Sequence, residues 1–176
     1  MIKIMIIEDN PAYRKAIGRA VETADGLHMM HEFGTAAVAL KKIPILGKEE
    51  RPNLVLLDLN LPGLSGLDAL PRLRELLPEA KVIILTQSDM QHDVLRAIEL
   101  GAAGYLLKSS SIPQLLDGIR TVHRGGATLD PGLAGLIIQT LKKQPAKQTD
   151  STELSKREFE VLTLIAEGAV QKQIAD

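Results

Sequence analysis

A chain of 176 residues that is 45 % apolar, with a net charge of −1, is large enough for one full core plus a small second unit and too apolar to be disordered throughout. It has no Cys, which excludes disulfides and thiolate chemistry, and its near-neutral charge offers no general attraction to nucleic acid, so any such binding must be local. The first apolar run ends at Glu8, too short for a signal-peptide core or a membrane span, and the expected location is the cytoplasm with no membrane partner.

Residues 2–7 read as a strand that ends in the adjacent acids Glu8 and Asp9. Asn10-Pro11 starts a helix to about Ala24, with Asn as cap and Pro at the first helical position. Asp25-Gly26 ends it, and 27–33 read as a more polar strand near a sheet edge. A short helix over 35–40 follows, then a broken helix or loop over 41–52, interrupted by Pro44 and Gly47. The most informative stretch is Leu54-Val55-Leu56-Leu57-Asp58-Leu59-Asn60-Leu61-Pro62-Gly63. Its four consecutive apolar residues predict an interior parallel strand covered on both faces, with Asp58 at the carboxyl end and Pro62-Gly63 turning the chain. In open parallel sheets, ligands gather outside the carboxyl ends of the strands, so Asp58 is placed to work; a carboxylate before Pro-Gly also serves as a plain turn cap.

The spacing then predicts a helix over 66–77, with Leu67, Leu70, Leu73 and Leu76 or Leu77 facing the sheet and a later start if Pro71 breaks its first turns. A strand over 81–85 ends at Thr86, a helix runs from about 90 to 100, and a strand over 104–107 ends at Lys108. Serines 109–111 cap a helix from Ile112 to about His123. Five strand–helix pairs with helix-length crossovers predict an α/β fold in three layers, a parallel sheet with helices on both faces, closing a first domain over 1–124. Residues 125–152 read as a linker with a short helix from Pro131-Gly132 to Leu141, and 153–176 as the first helix and part of a second from a larger helical domain, because two such helices cannot enclose a core.

Glu8 and Asp9, Asp58, Thr86 and Lys108 all fall at strand ends on one edge of the sheet. Three carboxylates in one cleft repel one another; a divalent cation holds them ionised, and hard oxygen ligands suit Mg²⁺. A carboxylate beside Mg²⁺, with a hydroxyl donor and an ammonium opposite, is also a receptor for a phosphoryl group. Each residue alone has a plain structural reading as turn, strand end or solvated lysine. Their coincidence points to a site. Glu8-Asp9-Asn10-Pro11 stands where a glycine-rich loop would follow the first strand, which argues against dinucleotide or P-loop binding.

These residues resemble the two-component response regulators that join a receiver domain to a LuxR/NarL-like helix-turn-helix output domain. The receiver pattern lies in Ile7-Glu8-Asp9, in the stretch from Leu56 to Gly63, in Ile84-Leu85-Thr86 and in Gly101-Ala102-Ala103-Gly104-Tyr105-Leu106-Leu107-Lys108. The output resemblance covers 154–176, in Leu154-Ser155-Lys156-Arg157-Glu158 and Leu164-Ile165-Ala166-Glu167-Gly168. The resemblance implies a flavodoxin-like doubly wound sheet of five strands in the order 2-1-3-4-5. It implies that Asp58 accepts a phosphoryl group from a sensor histidine kinase, with Mg²⁺ held by Glu8, Asp9, Asp58 and the backbone carbonyl of Asn60. Thr86 and Lys108 would bind the phosphoryl oxygens, and the rotamer of Tyr105 would follow Thr86. The only catalysis implied is self-phosphorylation and slow hydrolysis of the acyl phosphate.

The resemblance further implies a homodimer and control of transcription through DNA in the full-length protein, whereas a chain ending inside the second output helix is expected not to bind DNA. Gln87 departs from the pattern, which usually has a small residue there, and would crowd the phosphate. The alternative is a receiver-like dimerisation module that works without phosphorylation; the complete acidic set stands against it.

Overall fold

In the computed structural model, which describes residues 1–87, 91–130 and 133–135, apolar runs and amphipathic segments alternate as strand and helix. The strands are β1 (Ile2–Ile7), β2 (Leu27–Phe33), β3 (Leu54–Asp58), β4 (Lys81–Thr86), β5 (Gly104–Leu107) and β6 (Thr128–Leu129). The helices are α1 (Pro11–Glu22), α2 (Ala36–Lys42), α3 (Gly66–Leu76), α4 (Gln91–Glu99) and α5 (Ile112–His123). All strand pairs are parallel, in the order β2-β1-β3-β4-β5-β6. The chain steps from β1 to one side, then returns to build the other side outward from β3, so the winding reverses between β1 and β3. This is the doubly wound α/β fold that the sequence predicts.

Strand alternation divides the core. Met5, Ile7, Val55, Leu57, Ile84 and Tyr105 pack against Ala36 and Ala39 of α2, Leu70 and Leu73 of α3, and Val94 and Ala97 of α4. Ile4, Ile6, Leu54, Leu56, Ile83 and Leu85 pack on the opposite face against Ile17 and Val21 of α1 and Leu115 and Ile119 of α5. Every residue of β3 is buried, as an interior strand covered by helices on both sides must be.

The structure specifies four local details. Residues 41–52 form two 3₁₀ turns, Ile43–Ile45 and Lys48–Glu50, which bury Ile43 and leave Ile45 exposed. α3 starts at Gly66 despite Pro71, because Ser65 caps it and the burial of Ala69, Leu70 and Leu73 outweighs the one amide that Pro71 lacks. Leu67 and Leu76 are only partly buried on that helix. Finally, the fold continues past residue 124: after Gly125, at φ 92°, the chain adds β6 beside β5, and Leu133 reaches the same core cluster as Tyr105. A two-residue strand has no periodicity to read. It docks because Gly104 and Gly118, which have no side chains, leave room for Thr128.

The short helix expected up to Leu141 lies mostly outside the described residues, and the helix-turn-helix fragment of 153–176 lies wholly outside them. Among the described residues no helix is long and apolar enough to cross a membrane.

Candidate functional site

The reversal between β1 and β3 opens a crevice at their carboxyl ends. Ile7 pairs with Leu57, so the residues that follow, Glu8 and Asp58, emerge side by side. Asn10 ends the turn after β1 by capping α1, its Oδ1 accepting from the amides of Ala12 (3.0 Å) and Tyr13 (3.1 Å). This places Asp9 at the rim, exposed, while Glu8 and Asp58 are buried at 1 % and 2 % exposure. Each of Glu8, Asp9 and Asp58 offers a carboxylate oxygen, all within 4.8 Å of one another. The cleft above them has a volume of about 570 Å³, with Asp9, Asn10, Tyr13, Asp58, Asn60, Gln87, Lys108 and Ser109 in its walls.

Lys108, brought in by the end of β5, is the cation of this cleft among the described residues. Its Nζ donates to Asp58 Oδ2 at 2.9 Å and lies 2.7 Å from Glu8 Oε2. The second contact is ionic but poorly aligned, so Glu8 Oε2 is buried without a well-directed donor. Glu8 Oε1 accepts from the Asn10 amide at 3.1 Å, and Asp58 Oδ1 from the Asn60 amide at 3.1 Å. Burial pushes the Glu8 carboxyl above its usual value, and its bonds to Lys108 and Asn10 offset that only in part. For Lys108, burial acts to lower the value, but the bonds to Glu8 and Asp58 overcome it and hold the ammonium above the usual lysine value.

Three carboxylates against one ammonium leave two negative charges over, and one buried carboxylate oxygen lacks an aligned donor. A divalent cation fits this deficit, and an all-oxygen donor set favours a hard one.

The structure brings Glu8, Asp9, Asp58, Asn60 and Lys108 together. Thr86 stands at the carboxyl end of β4, yet it is fully buried and its neighbour Gln87 forms the cleft wall. Tyr105 is buried in the core beneath α4, at 1 % exposure. Sequence reading missed two participants. Tyr13, in the first turn of α1, lies under Lys108, with its ring centroid 5.2 Å from Nζ, and burial raises its hydroxyl pKa. Gly66 begins α3 so close to β3 that a Cβ would collide with the carbonyl oxygen of Asp58. Helical spacing could have placed Tyr13, one turn beyond Asp9, at the cleft. Nothing in the local sequence marks Gly66.

A doubly wound sheet with an acid triad and a lysine at its switch point defines a receiver-type module. The family model of the response regulator receiver domain matches residues 4–120. The nitrate/nitrite response regulator protein homolog of Haemophilus influenzae is 33 % identical over 174 residues, covering 99 % of this chain and 80 % of that protein. The transcriptional regulatory protein LiaR of Bacillus subtilis is 30 % identical, covering 100 % and 82 %. The crystal structure of a LuxR-family two-component response regulator from Aurantimonas sp. superposes with a TM-score of 0.72 at 29 % identity, covering 80 % of this chain and 97 % of that one. The chain belongs to the response regulators of two-component phosphorelays, with relatives of the LuxR/NarL type.

Proposed function

We propose that Asp58 is the phosphoryl acceptor of this receiver, with a sensor histidine kinase as donor. The observation that carries the reading is that Asp58 is buried and oriented by Asn60 and Lys108, yet still lines an open cleft beside Glu8 and Asp9. A carboxylate oxygen of Asp58 attacks phosphorus as the bond from phosphorus to the donor nitrogen breaks, giving an acyl phosphate. The nucleophile is already an anion, so the step needs no general base. Glu8, Asp9, Asp58 and the Asn60 carbonyl would hold Mg²⁺, which when bound supplies charge neutralisation to the phosphoryl oxygens. The Lys108 ammonium, released from Asp58, turns to a phosphoryl oxygen, and the Thr86 hydroxyl is the second donor. Movement of Thr86 is read by Tyr105, one strand over, and passes to the α4–β5–α5 face. Gln87 at the wall slows access of donor and water alike. Residues 1–124 carry this chemistry; in the full-length protein the output is transcriptional, through a dimer on DNA, and the name of the Bacillus relative, a transcriptional regulatory protein, supports the transcriptional part of that reading.

Incubation with a small phosphodonor and Mg²⁺, followed by intact-mass measurement, tests it. One added phosphoryl group is expected, dependent on Mg²⁺ and lost in Asp58→Asn. Labelling that persists in Asp58→Asn, or none in either protein, would overturn it.

A further inference from the structure

Outside the cleft, behind the turn that carries two of its acids, Arg14 of α1 makes two contacts that the proposed chemistry does not use. Its Nη1 donates to the backbone carbonyl of Glu8 at 2.5 Å, and its Nε lies 3.6 Å from Glu32 Oε2 on β2. That carbonyl belongs to the peptide joining Glu8 to Asp9. The Glu8 amide is itself fixed by the Phe33 carbonyl at 2.9 Å. The Phe33 bond holds the peptide before Glu8 and the Arg14 bond the peptide after it, which resists rotation of the Glu8–Asp9 plane. Its orientation decides whether the Glu8 carboxylate points in while that of Asp9 stays within reach of Asp58. Glu32 has space for this role because it faces Gly18, where an added Cβ would lie 3.0 Å from its Oε1.

We infer that Arg14, braced by Glu32, is a positioning residue for the two carboxylates at the end of β1, and that it sets the affinity of the cleft for Mg²⁺. The inference rests on the reading of the acid cleft given above. Charge alone argues the other way, since a guanidinium near a cation site repels the cation. Glu32 cancels most of that charge, so what Arg14 contributes is direction, the part played by residues that hydrogen-bond to ligand groups from behind.

The test is a Mg²⁺ titration of the 176-residue chain, followed by amide chemical shifts of Asp9 and Asp58, on the wild type, Arg14→Met, Arg14→Lys, Glu32→Gln and Lys3→Met. Lys3 pairs with Glu49 at the opposite end of β1 (3.3 Å) and serves as the control for a structural ion pair. Arg14→Met should weaken Mg²⁺ binding about tenfold. Arg14→Lys, which keeps one donor for the Glu8 carbonyl, and Glu32→Gln should weaken it less, and Lys3→Met should leave it unchanged. Should Arg14→Met fail to fold, Arg14→Lys and Glu32→Gln decide in its place. Wild-type affinity in the Arg14 and Glu32 variants, or an equal loss in Lys3→Met, would overturn the inference. A wild type that does not bind Mg²⁺ would instead overturn the acid-cleft reading itself.

Discussion

Among the described residues, Lys108 is the ammonium that faces Glu8 and Asp58, and both partners are 1 % exposed at their side chains. Replacing it by Met leaves two buried carboxylates facing each other, a change that should remove about 3–5 kcal/mol of stability at pH 7 in chelator, measured by urea unfolding. Added Mg²⁺ should restore part of the loss. The pH dependence follows from Glu8, whose folded pKa is raised above the usual 4.5 by burial. The folded state therefore holds the Glu8 proton more tightly than the unfolded state, and Glu8 imposes no penalty below pH 4.5. The penalty accumulates as pH rises through the raised value. Lys108 has the opposite role: its folded pKa is also raised, so its contribution is complete below the unfolded value of 10.5 and is lost as pH rises through the folded one. In Lys108→Met the fall in stability above pH 4.5 should steepen, because the group that opposed the upward shift of Glu8 is gone. A variant as stable as the wild type across this range would show that Lys108 does not compensate these acids.

At the scale of elements, the site depends on how closely α3 approaches β3. The Gly66 amide donates to the Leu59 carbonyl at 2.9 Å, and no Cβ fits against Asp58. Gly66→Ala should destabilise the fold by about 1–3 kcal/mol and slow phosphodonor labelling by displacing the Asp58 backbone. Gly104→Ala meets Thr128 and Ile83 and should destabilise by a similar amount while leaving labelling intact, since both contacts lie at the start of β5, away from Lys108 at its end. Comparing unfolding midpoints with labelling rates for the two variants checks both claims.

The same elements show what was legible in the sequence. Leu54 to Asp58 announced a covered strand, and Asn10-Pro11 and Ser111 announced helix starts, because burial and capping leave local signatures. The close packing at Gly66, the two-residue β6 and the pairing of Arg14 with Glu32 involve residues whose partners are remote in sequence. Their local pattern is that of an ordinary turn, loop or solvated helix face. Gln87 at the cleft wall was legible as the large residue expected to crowd the phosphate, whereas the full burial of Thr86 was not.

For the whole molecule, the last buried apolar side chains among the described residues are Leu133 and Ala134. A chain of residues 1–135 should therefore fold cooperatively and accept phosphate as fast as the 176-residue chain, whereas one ending at 124 should lose the β6 seam and unfold at lower denaturant. Equal midpoints for the two shortened chains would mean that β6 adds nothing to the receiver. Fold, family and cleft all lead to one carboxylate, that of Asp58. An acyl phosphate is reduced by borohydride to the alcohol, so a phosphorylated aspartate becomes homoserine, and peptide mass spectrometry then reads its position. Homoserine at 58 alone, formed only with phosphodonor and Mg²⁺, is the predicted result; homoserine at 9 or any other aspartate, 2-amino-5-hydroxypentanoic acid at a glutamate, or neither product in a sample that had gained a phosphoryl mass would contradict it.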